Sequence, residues 1–398
     1  MVRQLWEQNT DVVLVDTGNS YEGLCDYVNG KYISYTEEHP ITMNPFAIKR
    51  EELNIEKIGF LKNLIMLIWK GTNGRITKTE DHLIEDVITE YYDAHFRTRQ
   101  VAELSFNTFY EYSTRRIPEI VRDNNLEGID LATYNYLLKD FYKGGNHELT
   151  LNENLDTALF DETFIVFEID SIKDDPLLFP LVTLIIMDVF IQKMRIKKNR
   201  KVLVIEEAWK AIASPMMAEY IKYLYKTARK FWASVGVVTQ EIQDIVGSPI
   251  VKEAIINNSD VIMLLDQSKF KERFDEIKAI LGLTDVDCRK IFTINRLENK
   301  EGRSFFREVF IRRGQNAAVF GVEEPHECYM TYTTERAEKE ALKLYKRELQ
   351  CSHQQAIEAY CRDWDRSGIS KSLPFAQKVN QAGRVLNLPD KKQVKQIV

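Results

Sequence analysis

Lys201–Lys210, KVLVIEEAWK, is the stretch on which the fold turns. Four apolar residues, Val202 to Ile205, stand between charges, and a short continuous apolar run of this kind reads as a strand buried on both faces. It closes on two adjacent carboxylates, Glu206 and Glu207. Open α/β sheets bind their ligands beyond the carboxyl ends of parallel strands. In phosphate-cleaving ATPases such a strand end holds Mg²⁺ through one acid, while a neighbouring acid orients or deprotonates the attacking water. Acids also suit a helix N-terminus, so two glutamates that merely open the next helix are an equal reading of this stretch alone.

Downstream, Lys226–Gln240 reads KTARKFWASVGVVTQ. A basic helix end, Arg229 and Lys230, leads into an apolar strand, Ser234 to Val238, closed by Thr239 and Gln240. One strand thus ends in acids and the next in a neutral polar pair. EEAW, ARK and VVTQ resemble the later motifs of the conjugation ATPases of type IV secretion systems, in particular the TraG-type proteins of Bacteroides conjugative transposons. DVVLVDTGNSYEGLC near the start and FREVFIRRGQNAAVFGVE near the end are similar to that family too, and the likeness runs from Asp11 to Tyr345.

The resemblance implies an α/β fold: a RecA-like P-loop NTPase core of the HerA/FtsK superfamily with a mostly parallel sheet, an inserted helical subdomain and a β-hairpin at the sheet edge. It implies ATP and Mg²⁺ as cofactors and a hexameric assembly. Glu206 takes the Walker B position and binds Mg²⁺; the family's usual residue there is Asp, one methylene shorter. Glu207 becomes the catalytic base or water-orienting acid, and Gln240 the sensor at the neighbouring strand tip. Arg229 answers phosphate charge, in cis or across a subunit boundary, with Lys230 as a second candidate. Implied partners are the channel proteins of the secretion system, with DNA as a further partner, at the cytoplasmic face of the bacterial inner membrane and attached to it through those partners. The alternatives are a DNA translocase of the same superfamily and a non-catalytic assembly module.

One motif of that family is missing. G-x-x-x-x-G-K-[ST], whose backbone amides and lysine cradle phosphate, occurs nowhere in the chain. In the family the helix opened by that loop runs into the strand matching DVVLVD, and Met1–Gln8, MVRQLWEQ, looks like the tail of such a helix. The expectation is a piece that starts downstream of its own phosphate loop, binds nucleotide poorly and hydrolyses it negligibly.

Composition sets wider bounds. A chain of 398 residues can bury a large core in more than one domain, and its 44% hydrophobic and 29% charged fractions are those of a globular protein. A net charge of −6 argues against coating by DNA over the whole surface, though not against a local basic channel. The five cysteines form no C-x-x-C pair and, being odd in number, no closed disulfide framework, which fits a reduced protein. Leu177–Ile191 is the most apolar segment; it is too short to span a bilayer and carries Pro180 and Asp188, so it reads as a buried core helix.

Taken in order, the chain predicts four regions: residues 1–50 as the first part of the core, 51–152 as a helical insertion, 153–333 as the second part of the core, and 334–398 as terminal helices and tail. Asp11–Asp16 is a buried strand with Asp16 at its tip. The turn Thr17–Ser20 after it is either a plain β-to-α turn or a ligand contact, and its place beside the missing phosphate loop makes Asp16 a candidate cofactor contact. From Glu51 to Leu151 apolar residues recur at helical spacing, and Phe106, Phe109, Tyr110 and Tyr112 read as core in preference to a base-stacking platform. Thr163–Ile169 is a second buried strand. The basic run Lys193–Lys201 reads as a solvated helix end, or alternatively as a phosphate-tracking loop. Asp260–Asp266 is a further buried strand, and Phe305–Arg312 with Ala317–Val322 a hairpin. Arg312 and Arg313 at its tip are exposed turn cations, or an arginine finger for a neighbouring subunit's nucleotide. Glu327–Tyr332 reads as a last strand, Thr334–Trp364 as one or two helices, and the tail after Gly368 as weakly patterned.

Overall fold

The structure, a computed structural model, describes residues 1–153, 157–207, 215–239, 255–296 and 306–386. By its contacts the chain divides into two compact units: residues 1–17 with 33–255, and residues 18–32 with 256–398. It runs α1 (Val2–Glu7), β1 (Thr10–Asp16), α2 (Glu22–Tyr27) and β2 (Lys31–Ser34). Helices α3 (Ile55–Lys70), α4 (Lys78–Phe96), α5 (Phe106–Asp123), α6 (Leu131–Leu138) and α7 (Glu148–Asn152) follow. Then come β3 (Phe164–Glu168), α8 (Leu178–Ile196), β4 (Arg200–Ile205), α9 (Pro215–Ala228) and β5 (Ala233–Val237); of the elements named so far, α2 belongs to the second unit.

These five strands form one sheet in the order β2-β3-β1-β4-β5, with β1, β3, β4 and β5 mutually parallel. Every residue of β1 and β3 is buried, as is β4 after Arg200. That is why their sequences are unbroken apolar runs: both faces of each strand are covered, and alternation has no use. Strand β5 at the edge is only half-buried. Helix α8 is buried nearly all round, as its apolar composition requires. No described helix is long and apolar enough to cross a membrane.

The helices between residues 55 and 152 share one continuous core with the sheet, in which Val13, Ile165 and Leu203 belong to the same cluster as Phe60, Leu64 and Ile88. Phe106 and Phe109 are fully buried, and Phe46 stacks on Phe109 at 4.9 Å between ring centroids, so these aromatics are core. Two charges inside this core are paired: Lys57 Nζ on α3 donates to Asp188 on α8 at 2.9 Å, which also accepts from Gln192 at 2.8 Å. An N-terminal capping box, Thr77 with Glu80, starts α4. Glu80 also accepts from Lys70 at 2.5 Å. Burial works against the Glu80 carboxylate, but the Lys70 ammonium and the Thr77 N–H and hydroxyl prevail and hold its pKa below the ordinary 4.5. A depressed pKa gives stability that is complete above the unfolded value and lost as pH falls through the folded one. Glu80→Gln is therefore expected to flatten the loss of thermal stability on acidification below pH 4.5; an acid limb identical to that of the unsubstituted protein would contradict it.

The basic run between α8 and β4 corrects both sequence readings at its two ends. Lys193 and Lys201 are 0% and 1% exposed, neither solvated nor available to phosphate. Lys193 pairs with Asp11 at 3.0 Å and donates to the carbonyls of Phe160 and Glu162. Lys201 donates to the carbonyls of Asn199 and Phe231, and burial pushes its pKa down. Between them Arg195 pairs with Glu56 and Lys197 with Asp161.

In the second unit α2 is followed by β6 (Val261–Leu264), α10 (Phe274–Leu281), α11 (Asp285–Ile291), β7 (Phe306–Arg313) and β8 (Asn316–Glu323). The expected hairpin forms, but β6 pairs with it, and the three strands make an antiparallel sheet of their own. Nor is β6 a buried strand: only Leu264 is buried, while Val261 and Met263 are exposed on the same face as Phe320 and Val322. Phe310 and Glu308 are buried, and Asn295 secures Glu308 through both of their backbone amides.

Helices α12 (His326–Tyr332), α13 (Arg336–Leu349), α14 (His353–Ser367) and α15 (Ser372–Ala382) close the unit around Tyr345, Tyr360, Trp364 and Phe375. Two expectations fail here. Residues 327–332 are helical, because Pro325 opens a turn onto which Tyr329 N–H closes at 3.1 Å and Met330 packs into the helical core. The tail after Gly368 contains a whole helix, anchored by Phe375, Ala376 and Val379; residues 387–398 lie outside the described residues. The cysteines are all free.

Candidate functional site

Three neighbouring strands of the first unit end in acids at the same edge of the sheet. Asp16 of β1 is in register with Glu168 of β3, and Val15 with Ile205 of β4, so Glu206 is the next residue beyond that pair. Glu206 N–H bonds the Val15 carbonyl at 3.0 Å, and Ile169 N–H bonds the Asp16 carbonyl at 2.9 Å, which carries the ladder to the strand tips. Parallel neighbours lie about 4.8 Å apart, so Glu168, Asp16 and Glu206 stand abreast. Asp16 and Glu168 are buried, and Glu206 and Glu207 half-buried.

Glu207 has φ +48°, a left-handed conformation uncommon for a residue with a side chain. The chain therefore leaves the extended path immediately after Glu206, and the second acid is presented by a turn and not by the strand. Backbone in such regions concentrates at functional sites. Residues 206 and 207 form a turn, and residues 208–214, where the helix of the alternative reading would start, lie outside the described residues.

Glu168 is the acid that sequence reading passed over. Its Oε1 accepts the Asp170 N–H at 2.9 Å, which ties the carboxylate to its own loop. The signal was available: TFIVFEI, like KVLVIEE, is an apolar run closed by an acid.

Strand β5 leaves the sheet at the same edge, where Val238 N–H bonds the Ile205 carbonyl at 2.9 Å. Thr239 follows there, and Gln240 lies outside the described residues. Arg229 and Lys230 are elsewhere. They sit in a 3₁₀ turn, Arg229–Phe231, ahead of β5, both exposed, at the end where Lys201 N–H bonds the Trp232 carbonyl. The register from Lys201↔Ala233 to Ile205↔Val237 covers four steps, roughly 13 Å of strand. Arg229 and Glu206 therefore occupy opposite edges of the sheet within one chain. Arg312 and Arg313 belong to the second unit, where Arg312 Nη1 donates to the carbonyl of Gly282, the left-handed residue after α10, at 3.1 Å, and Arg313 is exposed.

Among the described residues no group of three His, Cys, Asp or Glu is close enough to enclose a metal ion. Mg²⁺ does not need one: it keeps several waters and takes one or two carboxylates plus substrate phosphates. The hard oxygen donors of the acid row fit that requirement. ATP fits less well, because no phosphate loop occurs in the chain to cradle its phosphates.

A parallel sheet with a row of acids beyond its carboxyl ends, flanked by packed helices, has the architecture of the open α/β folds that bind ligands at the carboxyl ends of their strands. The chain belongs to the TraG P-loop domain family, whose model matches residues 1–364. Its fold is similar to VirB4 of Thermoanaerobacter pseudethanolicus, with a TM-score of 0.59 and 19% identity over 81% of this chain and 84% of that one. It is similar also to the bacterial conjugative coupling protein TrwB, with a TM-score of 0.50 and 11% identity over 81% and 80% of the two chains. In sequence it is 22% identical over 290 residues to Protein TraC of Escherichia coli strain K12, covering 70% of this chain and 31% of that protein. The chain thus spans less than a third of the length of this curated relative.

Proposed function

We propose that the chain is the part downstream of the phosphate loop in an ATPase motor of a bacterial conjugative transfer, or type IV secretion, system, and that its hydrolytic site is the acid row at the ends of β3, β1 and β4. The observation that carries this is the in-register alignment of Glu168, Asp16 and Glu206, with Glu207 turned out of the strand path beside them. Glu206, half-buried at its strand tip, holds the Mg²⁺ through its carboxylate or through water, and Asp16 supports the same edge from the neighbouring strand. Bound there, Mg²⁺ supplies charge neutralisation for the phosphates. Glu207, on its turn, accepts the proton of the attacking water. Gln240, one residue past Thr239, senses the nucleotide from the adjacent strand.

Arg229, at the far edge of the sheet, serves a neighbouring subunit and not its own acids, with Lys230 beside it. This requires an assembly, and a homo-hexamer in the parent protein meets the requirement. Arg312 and Arg313 are the other candidates for that role. The partners are channel proteins at the cytoplasmic face of the inner membrane, in a system of the conjugative-transposon kind. A subunit carrying Arg229→Ala mixed with one carrying Glu207→Gln, both with a phosphate loop, is expected to recover part of the activity that each lacks alone; no recovery on mixing would remove the trans role.

The chain by itself is expected to bind a fluorescent ATP analogue with a Kd weaker than about 1 mM, because the phosphate-cradling amides and lysine supply most of the contact with the β- and γ-phosphates. Micromolar binding would mean that another segment cradles phosphate and would overturn the proposal as stated.

A further inference from the structure

Lys201 is the first buried residue of β4, and it is 1% exposed. Its Nζ donates to the carbonyl of Asn199 at 2.6 Å and to that of Phe231 at 3.2 Å. Its backbone N–H donates to the next carbonyl, that of Trp232, at 3.0 Å. The Asp11 carboxylate is taken by Lys193 at 3.0 Å and by Asn199 at 2.6 Å, and among the described residues Lys201 forms no ion pair. Burial pushes its pKa down, with Lys193 acting the same way and Asp11 against both. Burying an ammonium is costly unless hydrogen bonds take up its protons. Here those bonds go to the two segments that lead into β4 and β5.

The segment leading into β5 has an uncommon backbone. Trp232 is left-handed, with φ +55° and ψ 36°, which is rare for a bulky residue. Its indole is 69% exposed, so side-chain packing does not impose the conformation. Backbone of this kind persists only where its surroundings over-determine it. Those surroundings include Lys201, which binds two successive carbonyls, of Phe231 and Trp232. The 3₁₀ turn directly before Trp232 is Arg229–Phe231, with Arg229 and Lys230 exposed on it. All of these residues belong to the first unit.

We propose that Lys201 is a positioning residue for the cation that this chain offers to a neighbouring subunit: by holding the Phe231 and Trp232 carbonyls it sets the turn from which Arg229 is presented. This rests on the trans role of Arg229 put forward above. Lys201 is buried and touches neither nucleotide nor neighbour; it acts through the backbone of residues 229–232.

Two measurements on Lys201→Met, Lys201→Gln and Lys198→Ala test it, Lys198 being an exposed cation of the segment before β4. In the chain as it stands, amide exchange within residues 229–233 is expected to be about tenfold faster in Lys201→Met, from the loss of hydrogen bonds made by a charged donor, and unchanged in Lys198→Ala. In chains extended to include the phosphate loop, Lys201→Met is expected to lower kcat for ATP about tenfold, part of what an arginine in trans supplies, and Lys198→Ala to leave it within about twofold. On mixing, Lys201→Met is expected to recover activity with Glu207→Gln, which still offers the cation, and not with Arg229→Ala, which does not. A purely structural defect would not sort in this way. If Lys201→Met does not fold, Lys201→Gln, uncharged and shorter by one bond, carries the same comparison. Unchanged exchange would show that Lys201 does not hold the turn. An unchanged kcat, recovery with Arg229→Ala, or no recovery with Glu207→Gln would show a contact that is structural only. Each of these results overturns the proposal. If Arg229→Ala and Glu207→Gln failed to recover each other, the trans reading of Arg229 would fall first, and the role of Lys201 with it.

Discussion

Glu207→Gln, in a chain that carries a phosphate loop, is expected to lower kcat for ATP hydrolysis by about 10²–10⁴-fold, the usual contribution of a positioned general base, while leaving nucleotide affinity within a few-fold. The substitution keeps the length and shape of the side chain and removes only the ability to accept a proton. The turn conformation at Glu207, φ +48°, is set by the backbone, and glutamine tolerates it as well as glutamate does. The side chain is half-buried, so the change costs little stability. A fall in kcat at constant affinity therefore reports chemistry and not folding. Had the two glutamates only opened a helix, glutamine would change neither parameter. Glu206→Gln is expected to behave differently, raising the Mg²⁺ concentration needed for half-maximal rate.

Lys193→Met is expected to cost about 3–5 kcal/mol of folding stability, the range found when one partner of a buried ion pair is removed. The Lys193 side chain is 0% exposed and makes three contacts, at 3.0 Å to Asp11, 2.8 Å to the Phe160 carbonyl and 2.6 Å to the Glu162 carbonyl. Methionine fills the same volume but donates nothing. Asp11, which also accepts from Asn199 at 2.6 Å, then remains charged beneath α8 without its cation. Urea unfolding is expected to show a lower midpoint with an unchanged slope. Combining Lys193→Met with Asp11→Asn is expected to restore part of the loss, because the stranded charge goes with it. A loss below about 1 kcal/mol would place Lys193 in solvent, as an exposed cation of this run would be.

The contrast between those two residues shows what a sequence carries and what it withholds. β1, β3 and β4 were legible because strands covered on both faces have to be continuous apolar runs, and the acids that close them stand out by contrast. Glu168 ends its strand as Glu206 does, but it is single and is followed by the apolar Ile169, so it stands out less. The basic run Lys193–Lys201 misled in the other direction. Charge counted along a chain carries no information on burial, and two of its lysines serve Asp11 and backbone carbonyls inside the core. Arg229 offers a different lesson. Residues that precede a parallel strand lie at its amino end, so an arginine ahead of β5 stands across the sheet from acids that follow β4, and the order of elements alone implied this.

Short segments were the least legible. HECYMTY is seven residues long, aromatic and without glycine, and length alone does not separate strand from helix there. Pro325 and the packing of Met330 decide for helix. DVIMLLD does form a strand, but pairing with β7 in a sheet of its own leaves Val261 and Met263 exposed, which no reading of an apolar run anticipates.

Mg²⁺-dependent ATP hydrolysis, measured for this chain beside one extended upstream to include a phosphate loop, tests the account most directly. The account predicts turnover by the longer chain only, abolished there by Glu207→Gln. Hydrolysis by the present chain unaided, or turnover by the longer chain that survives Glu207→Gln, would contradict it.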